Sequence, residues 1–257
     1  MQKIVLFDMD GTLTPPRGKM GWGMNQKLSE LQEKGYKIGI VTGSDFEYLK
    51  DQCSIMFDIS PVDYSSIQYF PCNGTKHYIV KNGVFVLKEN NDMEGQIGAA
   101  TYKKLITFCL KNQLKFVKDF DIDISGKFID YRGSTLNWCP IGRTAGSDKR
   151  KCFEDFDKQN YWRMSVLKKF KKYLKKENIK EITVKLGGET SFDIFPAGWD
   201  KTFCLKNFKD MEVFFVGDRC GENGNDKEIY DMCYPLAWET KSVENTMEII
   251  DNFILSD

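Results

Sequence analysis

Short apolar runs alternate with helical patterns in the first part of the chain. Ile4–Phe7 is apolar at every position, which is typical of a strand buried on both faces of a sheet. Residues 24–34 repeat apolar side chains at helical spacing, and residues 36–41 form a second buried run. A helix over about 46–52 and a short strand over 67–70 continue the alternation. This order of strands and helices predicts an α/β fold with parallel strands.

The middle of the chain has shorter strands in a different order. An Asn-Gly pair at 82–83 lies between two β-type runs and favours a tight hairpin turn. Two amphipathic stretches predict helices over about 100–112 and 163–176. The predicted strands of this part are 78–80, 84–87, 128–132, 136–139, 182–186 and 191–195. These patterns predict an α+β module inserted into the α/β one.

The end of the chain returns to the first pattern. Met211–Val216 is a buried run that is followed, like the first run, by an acid, here Asp218. We therefore predict an α/β protein whose Rossmann-like parallel-sheet core domain carries an inserted α+β cap domain. Gly and Pro residues near 81–83 and 196–198 are suited to be hinges between the two. The predicted domains are residues 1–81 with 198–257 for the core and residues 82–197 for the cap.

Composition narrows the classes of function. Lys and Arg together number 37, as do Asp and Glu, so the zero net charge predicts neither a nucleic-acid nor a membrane partner. We interpret the seven lysines between 168 and 180 as the solvated face of a helix. No apolar run is long enough to span a bilayer, and no signal-peptide pattern precedes the first strand. Eight scattered cysteines beside a single histidine predict reduced thiols in a cytoplasmic protein rather than a zinc site.

Carboxylates follow two of the predicted core strands. Asp8 and Asp10 come after the first strand, and the alternation of a strand would direct both side chains to the same side. Asp218 follows a later strand, and open α/β sheets have their ligand site at this carboxyl edge. Asn225 and Asp226 add two more oxygen-bearing side chains. Because Mg²⁺ prefers carboxylate, water and phosphate oxygens, we expect Asp8, Asp10 and Asp218 to hold a magnesium ion.

The first acids stand in the motif DMDGT and the later ones in GDRCGENGND. Both motifs resemble those of the haloacid dehalogenase superfamily of phosphotransferases. The resemblance implies that Asp8 is the nucleophile and forms an aspartyl-phosphate, while Asp10 acts as general acid and base. It also implies that Thr42, with Ser44 as its substitute, bonds the phosphoryl group and that Lys201 offsets charge.

The predicted cap contains two longer motifs, FIDYRGSTLNWCPIGRTAGSDKR at 128–150 and LGGETSFDIFPAGWDK at 186–201. They resemble the cap signatures of the eukaryotic-type phosphomannomutase family, and the resemblance extends over nearly the whole chain. The arginines Arg132, Arg143 and Arg150 are also suited, as planar forks, to bind one dianion together. An arginine cluster on a separate cap indicates a second phosphate, as in a sugar bisphosphate. The residues that the resemblance implies for binding phosphate or sugar are Arg17, Arg132, Asn137, Arg143, Arg150, Ser191 and Asp193.

The resemblance implies a specific reaction. It predicts a phosphomannomutase that interconverts mannose 6-phosphate and mannose 1-phosphate through an aspartyl-phosphate, with a hexose 1,6-bisphosphate as intermediate and activator. Such an enzyme supplies GDP-mannose synthesis, and the resemblance also implies a cytoplasmic homodimer joined through its caps. A sugar-phosphate phosphatase of the same superfamily and a non-catalytic sugar-phosphate sensor are the alternatives. The sequence leaves the choice between mannose phosphate and glucose phosphate open.

The chain also departs from the family pattern at several positions. Thr42-Gly43-Ser44-Asp45 replaces the GGSD of the family, and Cys72 replaces an acid near the cap hinge. Gly133-Ser134-Thr135 replaces Asn-Gly-Met in a cap strand. Lys227 stands where the family has histidine, ahead of an Asp-rich turn that holds a second cation. Whether a second cation site exists near residues 230–232 is therefore left open.

Overall fold

Two compact units make up the structure, a computed structural model that describes residues 1–58, 60–222 and 224–256. The core unit comprises Met1–Asn90 and Trp199–Asp257, and the cap unit comprises Asn91–Gly198. In chain order the strands are β1 (Gln2–Phe7), β2 (Lys37–Val41), β3 (Gln68–Phe70), β4 (Lys76–Lys81), β5 (Val84–Asn90), β6 (Ile129–Tyr131), β7 (Leu136–Trp138), β8 (Ile182–Gly187), β9 (Ser191–Pro196), β10 (Met211–Gly217) and β11 (Ala237–Glu239).

The helices are α1 (Trp22–Glu33), α2 (Phe46–Gln52), α3 (Met93–Ile97), α4 (Ala99–Asp119), α5 (Ser147–Asn160), α6 (Trp162–Lys176), α7 (Lys227–Cys233) and α8 (Val243–Ile249). Short 3-10 helices lie at Ser54–Phe57, Tyr64–Ser66 and Lys201–Asn207, and a π-helical turn lies at Ile250–Ile254. Among the described helices, none combines the length and the apolar character that crossing a bilayer requires.

The core unit is built on a seven-stranded sheet with the order β11-β10-β1-β2-β3-β4-β5. The five strands from β11 to β3 pair in parallel, which confirms the predicted parallel-sheet core. Both faces of β1 are covered, because Val5 and Phe7 pack in one apolar cluster while Ile4 and Leu6 pack in another. A strand that is buried on both sides needs apolar residues at every position, as the sequence has here.

The predicted hairpin at the start of the middle segment belongs to the core unit. Its strands β4 and β5 are antiparallel and extend the core sheet beyond β3, with Lys81 paired to Val84 around the Asn-Gly turn. Asn82 and Gly83 have φ angles of 52° and 75°, which an Asn-Gly pair adopts readily. The core unit therefore extends to Asn90 instead of the predicted residue 81, since ladder hydrogen bonds hold β5 to it.

The cap unit contains a four-stranded antiparallel sheet with the order β6-β7-β9-β8. On one face Trp138 stacks on Phe192, with ring centroids 4.8 Å apart and an interplanar angle of 17°. Residues on the other face form a polar row, because the register sets Asp130 opposite Asn137 and Asn137 opposite Asp193. The alternation of each strand thus separates an apolar face from a polar one.

The sequence patterns missed several helices. α4 continues to Asp119 although its pattern predicted an end near 112, and α5, α7 and α8 were not predicted at all. Helix α5 buries only Arg150 and Phe153 among its residues, so its apolar stripe is too narrow to be recognised from periodicity. By contrast, the predicted apolar face of α6 is confirmed, and its buried residues are Val166, Leu167, Phe170 and Leu174.

Candidate active site

Strands β1 and β10 carry two acids to the same edge of the core sheet. Their parallel register pairs Phe7 with Val216, so both strands end at one level. Asp8 follows β1, and its backbone N–H donates to the carbonyl of Val216 at 2.9 Å. Asp218 follows β10 directly. The structure therefore has both acids at the carboxyl edge of the sheet, as the sequence predicted.

Three carboxylates converge at this edge: one oxygen each of Asp8, Asp218 and Asp226 lies within 4.8 Å of the others. Asp8 and Asp226 are buried, and Asp218 is half-buried. Burial and the charge of Asp226 raise the pKa of Asp218 to about 6. Burial, together with the charges of Asp226 and Asp218, also raises the pKa of Asp8 well above its ordinary range. The three acids oppose one another's ionisation, so a cation in their midst would be strongly stabilised.

Lys201 provides a single positive charge to this cluster. Its side chain is 1% exposed, and its Nζ donates to Asp8 Oδ1 and, at 2.5 Å, to Asp226 Oδ1. Burial alone would lower the pKa of Lys201, but the two carboxylates outweigh it, and the net direction is upward. Lys201 is therefore a fixed ammonium that compensates one of three negative charges.

Two glycines make room for the carboxylates. A Cβ atom at Gly11 would lie 2.4 Å from Asp218 Oδ2, and Gly11 has a φ angle of +87°, which disfavours any side chain. A Cβ atom at Gly217 would lie 2.8 Å from Asp226 Oδ2. The glycine of DMDGT and the glycine before Asp218 are thus required by the packing of the acids.

Asp10 lies outside the group of three carboxylates. Its Oδ1 accepts hydrogen bonds from the phenol of Tyr48 and from the backbone N–H of Arg17, each at 3.0 Å. The strand alternation that the prediction used does not extend to Asp10, because β1 ends at Phe7 and the chain then turns. The third carboxylate of the group is Asp226.

Thr42 directly follows β2, at the same edge of the sheet. It is 2% exposed, its N–H donates to the carbonyl of Phe70 at 3.1 Å, and its Oγ1 accepts from the N–H of Ser44 at 3.1 Å. The carbonyl of Thr42 accepts from the N–H of Asn73 at 2.8 Å. The hydroxyl is held in a rigid turn, as an anion-binding group requires.

The donor set of this edge suits a magnesium ion. Carboxylate oxygens are the ligands that Mg²⁺ prefers, and the cluster carries more negative charge than Lys201 compensates. The amide oxygen of Asn225, next to Asp226, is buried and has no hydrogen-bond partner among the described residues. Buried oxygens are nearly always paired, so this one is consistent with a ligand that completes the site.

The polar face of the cap sheet holds most of the predicted substrate-binding residues. Asp130 Oδ2 lies 3.3 Å from Arg132 Nε and 3.4 Å from Arg143 Nε. Arg143 also donates to Asn137 Oδ1 at 3.0 Å, and Asn137 Nδ2 donates to Asp193 Oδ1 at 2.7 Å. Two guanidinium groups are thereby fixed beside a row of hydrogen-bonding side chains.

Arg150 and Ser191 donate hydrogen bonds to other groups of the cap unit. The guanidinium of Arg150 is buried and donates to the carbonyls of Ala145 and Arg143, each at 2.9 Å, and to Thr190 Oγ1 at 2.8 Å. Ser191 Oγ donates to the carbonyl of Gly187 at 2.8 Å. In this structure Arg150 therefore organises the loop that carries Arg143, instead of joining Arg132 and Arg143 at Asp130.

Arg17, the remaining predicted residue, belongs to the core unit. Its side chain is exposed, and its backbone has a φ angle of 60° that directs its N–H to Asp10. In the segment where the family has its second cation site, Lys227 donates to Asp231 Oδ1 at 2.6 Å, so an ammonium lies beside this acid.

Sequence reasoning missed two residues of the site. Asp130 was overlooked although it stands two positions before Arg132, a spacing that puts both on one face of a strand. Tyr48 was overlooked because a tyrosine on a short helix carries no distinctive pattern. It contacts Asp10 only because α2 begins shortly after the end of β2.

The sequence matches the family model described as "Eukaryotic phosphomannomutase" over residues 24–256. Among similar proteins, the phosphomannomutase of Dendrobium officinale is 37% identical over 95% of this chain and 91% of its own length. Phosphomannomutase 2 of Dictyostelium discoideum is 36% identical over 97% of this chain and 96% of its own length. These matches cover both units described above.

Two solved structures share the fold at low sequence identity. The IMP-bound mutant of Plasmodium falciparum IMP-nucleotidase superimposes with a TM-score of 0.69 and 14% identity, and the match covers 100% of this chain and 67% of that chain. A haloacid dehalogenase-like hydrolase from Bacteroides thetaiotaomicron gives a TM-score of 0.57 and 14% identity, with 98% and 99% covered. At this identity the likeness concerns the fold alone.

Proposed function

The chain belongs to the eukaryotic phosphomannomutase family, and on that premise we propose that it interconverts mannose 6-phosphate and mannose 1-phosphate through an aspartyl-phosphate and a hexose 1,6-bisphosphate. The observation that carries the proposal is the buried Asp8, held by Lys201 at the carboxyl edge of the core sheet. The enzyme is then a phosphohexomutase that supplies mannose 1-phosphate for GDP-mannose synthesis.

In the proposed reaction Asp8 is the nucleophile. One of its carboxylate oxygens bonds to a phosphorus of the bisphosphate, the bond from that phosphorus to the sugar oxygen breaks, and the sugar oxygen takes a proton from Asp10. In the reverse sense Asp10, now ionised, removes a proton from the free hydroxyl of a bound hexose monophosphate. That oxygen attacks the phosphorus of the aspartyl-phosphate, and the bond from this phosphorus to Asp8 breaks. Tyr48 and the N–H of Arg17 keep the Asp10 carboxylate in one orientation for both transfers.

The charge of the site has to be compensated before a phosphoryl group can approach. Lys201 neutralises part of the charge on Asp8 and Asp226, and Thr42 offers its hydroxyl to the phosphoryl oxygens. Asp8, Asp218 and Asp226 would hold Mg²⁺. When bound, this ion supplies electrostatic compensation between the carboxylates and the phosphoryl group.

In this proposal the cap unit binds the sugar and the phosphate that does not react. Arg132 and Arg143 bind the phosphate that is not reacting, because guanidinium groups match phosphate oxygens in geometry and charge. Asn137, Ser191 and Asp193 serve the sugar hydroxyls. The function of Arg150 is indirect, through the carbonyls of Arg143 and Ala145.

We also propose a homodimer joined through the caps. Leu110, Leu114 and Val117 on α4 are 55%, 58% and 43% exposed, and their spacing forms one apolar stripe along the helix. Burying that stripe against a second copy would remove it from water. All eight cysteines are thiols, seven of them buried, which supports a reducing compartment such as the cytoplasm.

A ³¹P NMR time course tests the proposal. The protein is given α-mannose 1-phosphate, Mg²⁺ and a trace of glucose 1,6-bisphosphate, beside a reaction without the bisphosphate. We expect a hexose 6-phosphate signal whose growth depends on the bisphosphate. Release of inorganic phosphate alone would instead identify a sugar-phosphate phosphatase. If neither a hexose 6-phosphate signal nor an inorganic phosphate signal appeared, both the mutase and the phosphatase readings would be overturned, and a binding protein would be favoured.

A further inference from the structure

The Asp130 carboxylate is the hub of the cap's charged face. It contacts Arg132 Nε at 3.3 Å, Arg143 Nε at 3.4 Å and Lys127 Nζ at 2.8 Å. Its side chain is only 12% exposed, and Arg132 is 9% exposed. One buried acid is thus shared among three cations, in the middle of the face that the proposed function assigns to phosphate.

The charges of this group act on one another strongly. Burial would raise the pKa of Asp130, but Lys127 and Arg132 reverse the effect and hold it below its ordinary value. Burial and the neighbouring Arg132 lower the pKa of Arg143, while Asp130 opposes that shift. Asp130 is therefore ionised at neutral pH, and it makes the approach of two like-charged guanidinium groups possible.

We propose that Asp130 is a built-in counter-charge that limits how tightly the cap holds phosphate. It contacts both arginines at Nε, so it fixes the planes of both guanidinium groups, and it repels any dianion that those groups bind. This inference rests on the proposed mutase function. A mutase must bind the bisphosphate weakly enough for this intermediate to reorient within the site before the second transfer, whereas a phosphatase has no such step.

The direction of the effect follows from the charges. A dianion bound by both arginines would lie close to Asp130, because Asp130 contacts the same two guanidinium groups at Nε, and like charges at short range repel each other. We expect this repulsion to exceed the benefit of aligned side chains. Removing the charge should therefore strengthen phosphate binding. A residue that only supported the fold would have the opposite effect, because its loss would let the arginines scatter.

The test compares Asp130→Asn with the wild type, using glucose 1,6-bisphosphate as the probe in calorimetry and ³¹P NMR for turnover. We expect the variant to bind the bisphosphate about tenfold more tightly or better. Its kcat and KM should both fall, since release becomes slower while binding improves. Weaker or unchanged binding, or a raised KM, would overturn the proposal.

Three companion variants make the result decisive. Asp130→Glu keeps the charge and should retain wild-type affinity. Lys127→Asn removes a cation that compensates Asp130 and should weaken bisphosphate binding at least about threefold. Asparagine is suited to this exposed position because it tolerates the φ angle of 59° found there. Asp155→Asn removes an exposed acid of α5 that pairs with Lys151, and should change neither constant. If Asp130→Asn does not fold, Asp130→Ser removes the same charge and decides, and an affinity for the bisphosphate that is unchanged or weaker there refutes the counter-charge.

The same experiment separates this inference from the function on which it rests. A wild type that neither binds the bisphosphate nor turns over mannose 1-phosphate would contradict the proposed function. A wild type that does both, combined with an Asp130→Asn variant that binds no more tightly, would leave the mutase reading intact and refute only the role of Asp130.

Discussion

Replacing Lys201 by Met tests how much the ammonium of Lys201 stabilises the buried carboxylates of the core site. Lys201 is 1% exposed and donates to Asp8 and Asp226, so Lys201→Met keeps the volume but leaves two buried carboxylates without their cation. At an effective dielectric constant of about 20, an ion pair at hydrogen-bond distance is worth about 5 kcal/mol of Coulomb energy. The avoided burial of the ammonium and proton uptake by one acid offset part of this loss. We expect the free energy of unfolding to fall by about 3–5 kcal/mol without metal.

Urea denaturation in EDTA measures this loss, and two further conditions test its cause. Added Mg²⁺ should restore part of the stability, because a second cation then faces Asp8 and Asp226. Lower pH should also restore part of it, since protonation removes an unpaired buried charge. Lys206→Met is the matched control in the same 3-10 helix, where an exposed lysine pairs with Glu89, and it should change stability by less than about 0.5 kcal/mol. A loss below about 1 kcal/mol for Lys201→Met would refute the reasoning.

The remaining predictions concern separate parts of the molecule. Asp8→Asn should abolish turnover in the ³¹P assay while the circular dichroism spectrum stays native, because the amide keeps the volume but is not a nucleophile; surviving activity would exclude Asp8 as the nucleophile. Arg150→Lys should lose two of three recorded bonds, lower the free energy of unfolding by about 2 kcal/mol and raise KM several-fold; an unchanged thermal midpoint and KM would contradict this. Burial lowers the pKa of His77 to about 4, so its contribution to stability is present above about pH 6.5 and is lost as the pH falls towards 4. As the sole histidine it gives one imidazole NMR signal, and a midpoint near 6.5 would be inconsistent with its buried contact to Gln68.

The core could be predicted from the sequence because each buried strand appears there as a continuous apolar run. A strand covered on both faces must be apolar throughout, and Ile4–Phe7 meets that demand without ambiguity. Asp8 and Asp218 were found because each directly follows such a run. Asp10 was paired with Asp8 by strand alternation, but β1 ends at Phe7, so its role beside Asp8 stays a prediction. Where a strand ends is decided by the turn that follows, which periodicity does not reveal.

The cap was harder to predict because its contacts are distant in sequence. Asn137 and Asp193 are neighbours only through the register of β7 and β9. The three arginines looked equivalent as a cluster in the sequence, yet the structure gives Arg150 internal acceptors at Ala145 and Thr190. Helix geometry brings this about, because Arg150 lies in the first turn of α5, over the loop it supports. Residue type indicated the chemistry, and only the fold distinguished the arginine that supports the loop.

The two units carry opposite excesses of charge, and this difference predicts where magnesium is needed. In the core, three carboxylates face one ammonium, so a phosphoryl dianion is repelled until a cation is added. In the cap, Lys127, Arg132 and Arg143 lie around Asp130, and Asp193 lies next to them through Asn137, so the three cations outnumber the two acids and a dianion is attracted without any metal. We therefore expect calorimetry in EDTA to show bisphosphate binding within about tenfold of its affinity in Mg²⁺, while ³¹P NMR shows no turnover. Loss of binding in EDTA would mean that the cap arginines are not the main site of affinity, and it would remove the physical basis for a second phosphate site.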